Sequence, residues 1–396
     1  MAQHDRSIDH NALGALAQRL VRTPSPSGAE GPLAEMVAEE MRSAGMAEVR
    51  VDRMGNVIGR LGDGQGQTLL YDAHLDTVDI GDPANWAHDP LGGEIQGGVL
   101  YGRGACDMKG ALAAMLHGCR MLAEANARLQ GTLYLVCVVQ EEPCEGAAIR
   151  HVVEVEGLRP DCVVLGEPTN LQLARGQRGR IEFEVTVRGK SSHASAPQRG
   201  VNAIYNAARV IVGLELLAPQ LNADSFLGKG SIAVTEIGSR SGSRNAVPET
   251  CTLVVDRRLT NGETEAKATA EIKRVLVRES VDATIAVPEY SVPSYTGYEV
   301  RARQHFPYWA TPANDPLLTT ASGVVEDVLG YVPHLGKWEF STDGVYTSGV
   351  AGIPTIGFGP GEERYAHTTE DQVRLEDLAA AAQVYARLAA RLLGGR

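Results

Sequence analysis

Two hydrophobic rhythms share this chain, and one interrupts the other. Over the first 178 residues, strand-like apolar runs alternate with stretches of helical period. AEVRV and TLLYDAHLDTV precede the helical KGALAAMLHGCRMLAEA, and TLYLVCVVQ, a helix near AAIRHVVEV, and DCVVL follow. Before them, Ile8, Leu13, Leu16 and Leu20 mark the buried face of one amphipathic helix, and Leu33, Val37 and Met41 that of a second. The alternation predicts an α/β sheet with helices on both faces. After GQRGR the rhythm shortens to period two in IEFEVTVRG. The order then becomes strand, helix (NAIYNAARVIVGLELL), two strands (SIAVTEIG and TLVVDRRL), helix (TEAKATAEIKRVLVRES) and a closing strand, TIAVPEYSV. That β-α-β-β-α-β order is ferredoxin-like. A helix from Asp315 to Leu329, a strand at IPTIGFG and a terminal helix from Leu375 to Leu393 resume the first style. The expected architecture is a discontinuous main body, residues 1–178 and 294–396, around a module inserted at 179–293. A length of 396 residues agrees with two cores rather than one.

In open α/β sheets, ligands gather beyond the carboxyl ends of the strands. His74, the pair Glu141-Glu142, and Glu167 each stand at or just past the end of an apolar run, and His367 follows IGFGPG. Asp107 sits in YGRGACDMKG, a glycine-rich entry to a helix. The spacing fails as a dinucleotide loop because an aspartate occupies the third glycine position. These residues together supply what a two-metal hydrolase needs: a carboxylate to bridge the ions, further ligands for each, and one acid or base left off the metal. If the chain stays extended, Glu141 and Glu142 point opposite ways, which suggests that one binds metal and the other serves as base. In HLD, residues 74 and 76 would share one side, so that Asp76 accepts a hydrogen bond from His74 and fixes its tautomer.

The other readings are weaker. The six cysteines form no CxxC pair, which argues against a disulfide framework. Cys106 and Cys144 lie near proposed ligands, but carboxylates and histidines already fill the sites. No apolar run is long enough for a membrane span, and MAQHDRSIDH lacks the pattern of a secretory signal, so the expected compartment is the cytoplasm. A net charge of -12 with no basic run argues against a nucleic-acid surface. GxSxG and HExxH are both absent, which disfavours a serine hydrolase and a zincin. A non-catalytic metal-binding protein would need neither Glu141 nor His193. His193 in GKSSHASAP, Arg244-Asn245 and Arg258 read by themselves as polar groups near strand ends of the inserted module.

Taken in order, DAHLDTV, GRGACDMKG, QEE, GEPT, GKSSHASAP, RNAVPE, DRRL, STDG and AH resemble the co-catalytic metallopeptidase and deacylase family. That family includes acetylornithine deacetylase, succinyl-diaminopimelate desuccinylase, aminoacylases and glutamate carboxypeptidases. RGQRGR, HASAPQRGVNAIY, KWEFSTDGV and IGFGPGEERYAH look most like its branch of selenium-metabolism-linked hydrolases. The resemblance implies a mixed-sheet metallopeptidase body and a lid or dimerisation module. It implies that His74, Asp107 and Glu167 hold one metal, that Asp107, Glu142 and His367 hold the other, and that Glu141 is the base while Asp76 orients His74. His193 would reach the partner subunit's site in a homodimer and help hold the oxyanion. Asn245, Arg258 and the loop from Ser341 to Gly344 would contact substrate. The implied cofactors are two divalent ions, zinc first, cobalt or manganese otherwise, with a hydroxide between them attacking the amide. The implied substrate is an N-acyl amino acid, with a dipeptide or an N-carbamoyl amino acid as alternatives.

Overall fold

The computed structural model describes residues 8–63 and 65–394; the extreme ends of the expected main body, 1–7 and 395–396, lie outside them. A mixed sheet runs through the main body. In space its strands follow the order Ala47–Val51, Val57–Leu61, Thr132–Val138, Thr68–His74, Cys162–Leu165, Thr355–Gly357, Leu173–Gln177 and Trp309–Ala310. A further strand, Leu335–Trp338, pairs in parallel with Leu173–Gln177. The four strands at its centre, from Thr132–Val138 to Thr355–Gly357, are mutually parallel. Their carboxyl ends therefore open on one side.

Burial explains the composition of these central strands. Leu69, Leu70, Tyr71 and Ala73 are all buried, as expected where helices cover both faces of a parallel sheet. On one face the Tyr71 hydroxyl donates to the Tyr385 carbonyl at 2.6 Å, and Leu375–Leu393, which carries Tyr385, packs against Gly110–Glu124. The next residue, Asp72, points to the opposite face, towards Asp343 beside the short helix Gly344–Thr347, against which Ala147–Glu154 packs. The helix starts are chemically specified. Asp9, Asn202, Thr264 and Asp315 each accept a backbone amide at an N-cap, and Pro316 follows Asp315 where its missing N–H costs nothing.

Residues 179–286 build a separate antiparallel sheet in the order Ser231–Arg240, Thr250–Leu259, Gly179–Arg188, Ala283–Ala286. Helices Ala203–Leu217 and Glu265–Arg278 pack with it around Phe183, Val185, Leu253, Val255 and Ile272. The closing strand differs from expectation. Only Ala283–Ala286 joins this sheet, whereas Glu289–Pro293 forms a hairpin with Glu299–Arg303. Pro288, which has no N–H to give a ladder, stands between the two pieces. The sheets are joined by a two-stranded ribbon. Leu173–Gln177 belongs to the first and Gly179–Arg188 to the second, while the returning chain pairs Phe306 with Arg180 and then Trp309 with Gln177.

Candidate active site

The four central strands deliver their following residues to one place. His74 ends Thr68–His74, Glu141 and Glu142 follow Thr132–Val138, Glu167 follows Cys162–Leu165, and the loop after Thr355–Gly357 leads to His367. Asp107 arrives from the turn that opens helix Gly110–Glu124. Its carboxylate lies between the two histidines: Oδ1 is 3.0 Å from His74 Nε2, and Oδ2 is 3.3 Å from His367 Nε2. Glu142 Oε2 stands 2.9 Å from the same His367 nitrogen, and Glu167 Oε1 is 3.9 Å from His74 Nε2. Ligand atoms of His74, Asp107 and Glu142 lie within 4.8 Å of one another, and so do those of His74, Glu141 and Glu167.

Glu141 and Glu142 do serve different sides, though not because the chain is extended. They sit in a turn beyond the strand, and Asp76 fixes that turn. Asp76 Oδ1 accepts the Glu141 amide at 3.0 Å, while Oδ2 accepts the Glu142 amide at 3.2 Å and the Ser27 hydroxyl at 2.6 Å. This corrects the expectation for HLD. The His74 ring bonds the backbone carbonyl of Asp76, Nδ1 to O at 2.8 Å, with the carboxylate farther away at 3.7 Å. The strand stops at His74, which frees that carbonyl to curl back onto the ring. The Asp76 carbonyl thus fixes the ring orientation, with Nδ1 turned to the backbone and Nε2 turned to Asp107.

The cluster holds more negative charge than its surroundings balance. Burial, then Glu167, pushes the Glu141 carboxyl well above the ordinary carboxylate range. Burial, then Asp107, does the same to Glu167. Asp107 goes the other way. Burial opposes its ionisation, but hydrogen bonds from His367 and His74 outweigh that and hold it below the usual range. Asp107 and then Glu142 raise the His367 ring to about 10. Glu141 Oε1 and Glu142 Oε1 are buried without any hydrogen-bond partner. Buried carboxylates with unpartnered oxygens, grouped with imidazole nitrogens, are a donor set that fits divalent cations.

Two carboxylates around this centre, Asp371 and Asp72, escaped the sequence reading, and a third, Asp343, fell within the loop from Ser341 to Gly344 without a role of its own. Asp371 accepts the amides of Gly104 at 2.7 Å and Cys106 at 2.8 Å, together with Arg103 at 3.1 Å, so it anchors the turn that carries Asp107. The acidic TTEDQV gave no sign of this. Asp72 is buried opposite Asp343; burial and then Asp343 raise its carboxyl, while Asp343, raised to about 6 chiefly by burial, accepts the Gly146 amide at 2.6 Å. A charge inside the apolar run TLLYDAH was the available signal.

The remaining expected residues are not among the grouped ligand atoms. His193 is exposed and bonded to Ser195 Oγ at 2.6 Å. The exposed Asn245 uses its carbonyl to accept the Ala194 amide at 2.7 Å, and Arg258 pairs with Asp256 at 2.8 Å. Ser341 Oγ accepts from Gln177 at 3.1 Å, and Gly344 lies tight against Trp309. Cys106 bonds the Glu362 carbonyl through its thiol.

Residues 70–391 match the sequence model of peptidase family M20/M25/M40. The chain belongs to that family. Among curated M20/M25/M40 relatives it is 38% identical over 369 residues to the uncharacterised protein YgeY of Escherichia coli K12, covering 93% of this chain and 91% of YgeY. It is 27% identical to the succinyl-diaminopimelate desuccinylase of Alkalilimnicola ehrlichii, covering 96% of this chain and 98% of the relative. The fold is shared with the Bacillus subtilis protein YXEP, described as a dinuclear metal binding peptidase of the M20 family, with a TM-score of 0.70 at 17% identity over 97% of this chain and 98% of YXEP. An M20/M25/M40 chain with this cluster is a metal-dependent hydrolase of amide bonds. Among its described residues, no helix is long and apolar enough to cross a membrane.

Proposed function

We propose that this protein removes the acyl group from an N-acyl amino acid, with Glu141 carrying the proton. The observation that supports the role is the pinning of the Glu141-Glu142 turn by Asp76. It sends Glu142 to His367 and leaves Glu141 beside His74 and Glu167 with an unpartnered oxygen. His74, Asp107 and Glu167 would hold one divalent ion, and Asp107, Glu142 and His367 a second, with Asp107 between them. Zinc suits these ligands best, and cobalt or manganese would also fit. Such ions polarise an amide carbonyl and bring the pKa of a water near neutrality.

Glu141 then takes the proton of the attacking water and returns it to the leaving amine, a transfer worth roughly 10²- to 10⁴-fold in rate. Ser341 and Gly344 line the loop that would meet the substrate. Arg258 would leave Asp256 to bind the substrate carboxylate as a fork, with Asn245 beside it. His193 lies on the separate module and would help hold the oxyanion in the partner's site of a homodimer. Exposed Tyr205, Val212, Leu216 and Ile237 on that module suit such a contact. Six unpaired, buried cysteines accord with a reducing cytoplasm.

The named desuccinylase relative favours N-acyl substrates. The peptidase fold neighbour keeps dipeptide or carboxypeptidase cleavage as the second reading, and N-carbamoyl hydrolysis is third. A turnover panel of N-acetyl, N-succinyl and N-carbamoyl amino acids against dipeptides, with zinc- and cobalt-loaded enzyme, tests the choice. Turnover of dipeptides alone would replace the deacylase reading. In the same assay Glu141→Gln should keep its metal and lose at least about a hundredfold in turnover.

A further inference from the structure

A second group of ligand-type side chains uses none of the residues above. Asp52, His151 and Glu156 place a carboxylate oxygen, an imidazole nitrogen and a carboxylate oxygen within 4.8 Å of one another. His151, on helix Ala147–Glu154, is 6% exposed, and its Nε2 is buried with no hydrogen-bond partner. Its ring stands edge-on to Tyr298 at 4.9 Å.

The two carboxylates are held so that each keeps one oxygen available. Asp52 Oδ1 is saturated by the amides of Met54 at 2.9 Å, Gly55 at 2.8 Å and Asn56 at 2.9 Å. Oδ2 takes only the Asn56 side-chain amide, at 2.8 Å, and retains a lone pair. Arg50 occupies Glu156 Oε2, which leaves Oε1 at 3.7 Å from His151 Nε2. That gap is too long for a hydrogen bond. It is close to the spacing of about 3.4 Å between two ligands that each sit about 2.1 Å from a tetrahedral ion.

We propose that Asp52, His151 and Glu156 form a third divalent-cation site, structural rather than catalytic. Two carboxylates against one arginine leave a net negative charge, and the imidazole selects a borderline ion such as Zn2+, Co2+ or Ni2+ over Mg2+ or Ca2+. The ion would tie the turn after strand Ala47–Val51 to the helix that follows the Glu141-Glu142 turn. Asn56, which holds Asp52, also accepts the Val139 amide at 3.1 Å, two residues before Glu141. The brace therefore adjoins the catalytic strand without sharing a ligand with it.

The test separates this site from the catalytic one. In a chain carrying His74→Ala, Asp107→Asn and His367→Ala, stripped of metal and titrated with Co2+, one ion should bind per chain, with visible d–d absorbance and a raised Tm. Adding Glu156→Gln should abolish all three effects. In the otherwise unchanged chain, Glu156→Gln or His151→Gln should lower the bound metal by one ion per chain while amide hydrolysis persists. Equal metal content with and without Glu156→Gln, in either background, overturns the proposal. Inactivity on every amide offered would instead count against the proposed function and leave the metal count intact.

Discussion

At Asp76 a single carboxylate holds two adjacent amides, so its loss should be felt at both a proposed metal ligand and the proposed base. Asp76→Ala should weaken metal binding roughly 10- to 100-fold and lower turnover as well, read by metal titration and kinetics on one preparation. Gly359 gives a subtler case. A Cβ there would come within 2.4 Å of the Glu167 carbonyl oxygen, so Gly359→Ala should move Glu167 and lower metal affinity without touching any ligand side chain. Glu30 allows a pH prediction away from the metal ligands. It is buried, accepts the Gly28 and Gln140 amides through one oxygen and leaves the other unpartnered. Burial, then Asp76, raises its carboxyl from 4.5 to about 7. The folded chain therefore binds this proton more tightly than the unfolded chain, and stability falls as pH rises from about 4.5 to about 7. Glu30→Gln should flatten that slope. Relative to the parent, denaturant midpoints should show a gain larger at pH 8 than at pH 5, by on the order of 3 kcal/mol.

Helix Pro316–Leu329 shows what local chemistry decides at the scale of elements. Asp315 caps it by accepting the Leu317 amide at 2.8 Å, and Asp315→Ala should cost about 1 kcal/mol, seen as a lower denaturation midpoint with activity unchanged per folded molecule. Such elements were legible because their causes are close in sequence. The terminal helix Leu375–Leu393 has the bounds its periodicity suggests, and the six-element order of residues 179–286 is readable from the switch to period two. The grouping of His74, Glu142 and Glu167 was legible for a related reason: they end or follow apolar runs whose ends a parallel sheet must align. What escaped depends on distant partners. Asp371 bonds amides more than 260 residues away, and Asp76 turns its carboxylate to residues 65 positions on rather than to its neighbour two back. Periodicity carries no information about such encounters. The break at Pro288 was visible as a residue, but its effect on pairing needed the competing strand Glu299–Arg303 to be in place.

The arrangement of the whole molecule bears on the proposed shared site. If His193 serves the partner's cluster, mixing inactive His193→Ala with inactive Glu141→Gln should restore activity, because each hybrid dimer contains one site with both residues intact. Absence of recovery after proven subunit exchange would remove His193 from the reaction. The ribbon between the two sheets permits a further prediction. At Gly179 a Cβ would meet the Tyr308 amide nitrogen at 2.5 Å, so Gly179→Ala should spread the ribbon and alter kcat and KM together while metal content holds. Two strands hydrogen-bonded across such a junction can bend along their length far more easily than they can slide past each other. A change of pitch between the separate sheet and the carboxylate–histidine cluster would be carried along these two strands. Gln177, at the end of the ribbon's first strand, grips both Ser341 and Thr342, so any change of pitch would be felt directly in the loop proposed to meet the substrate.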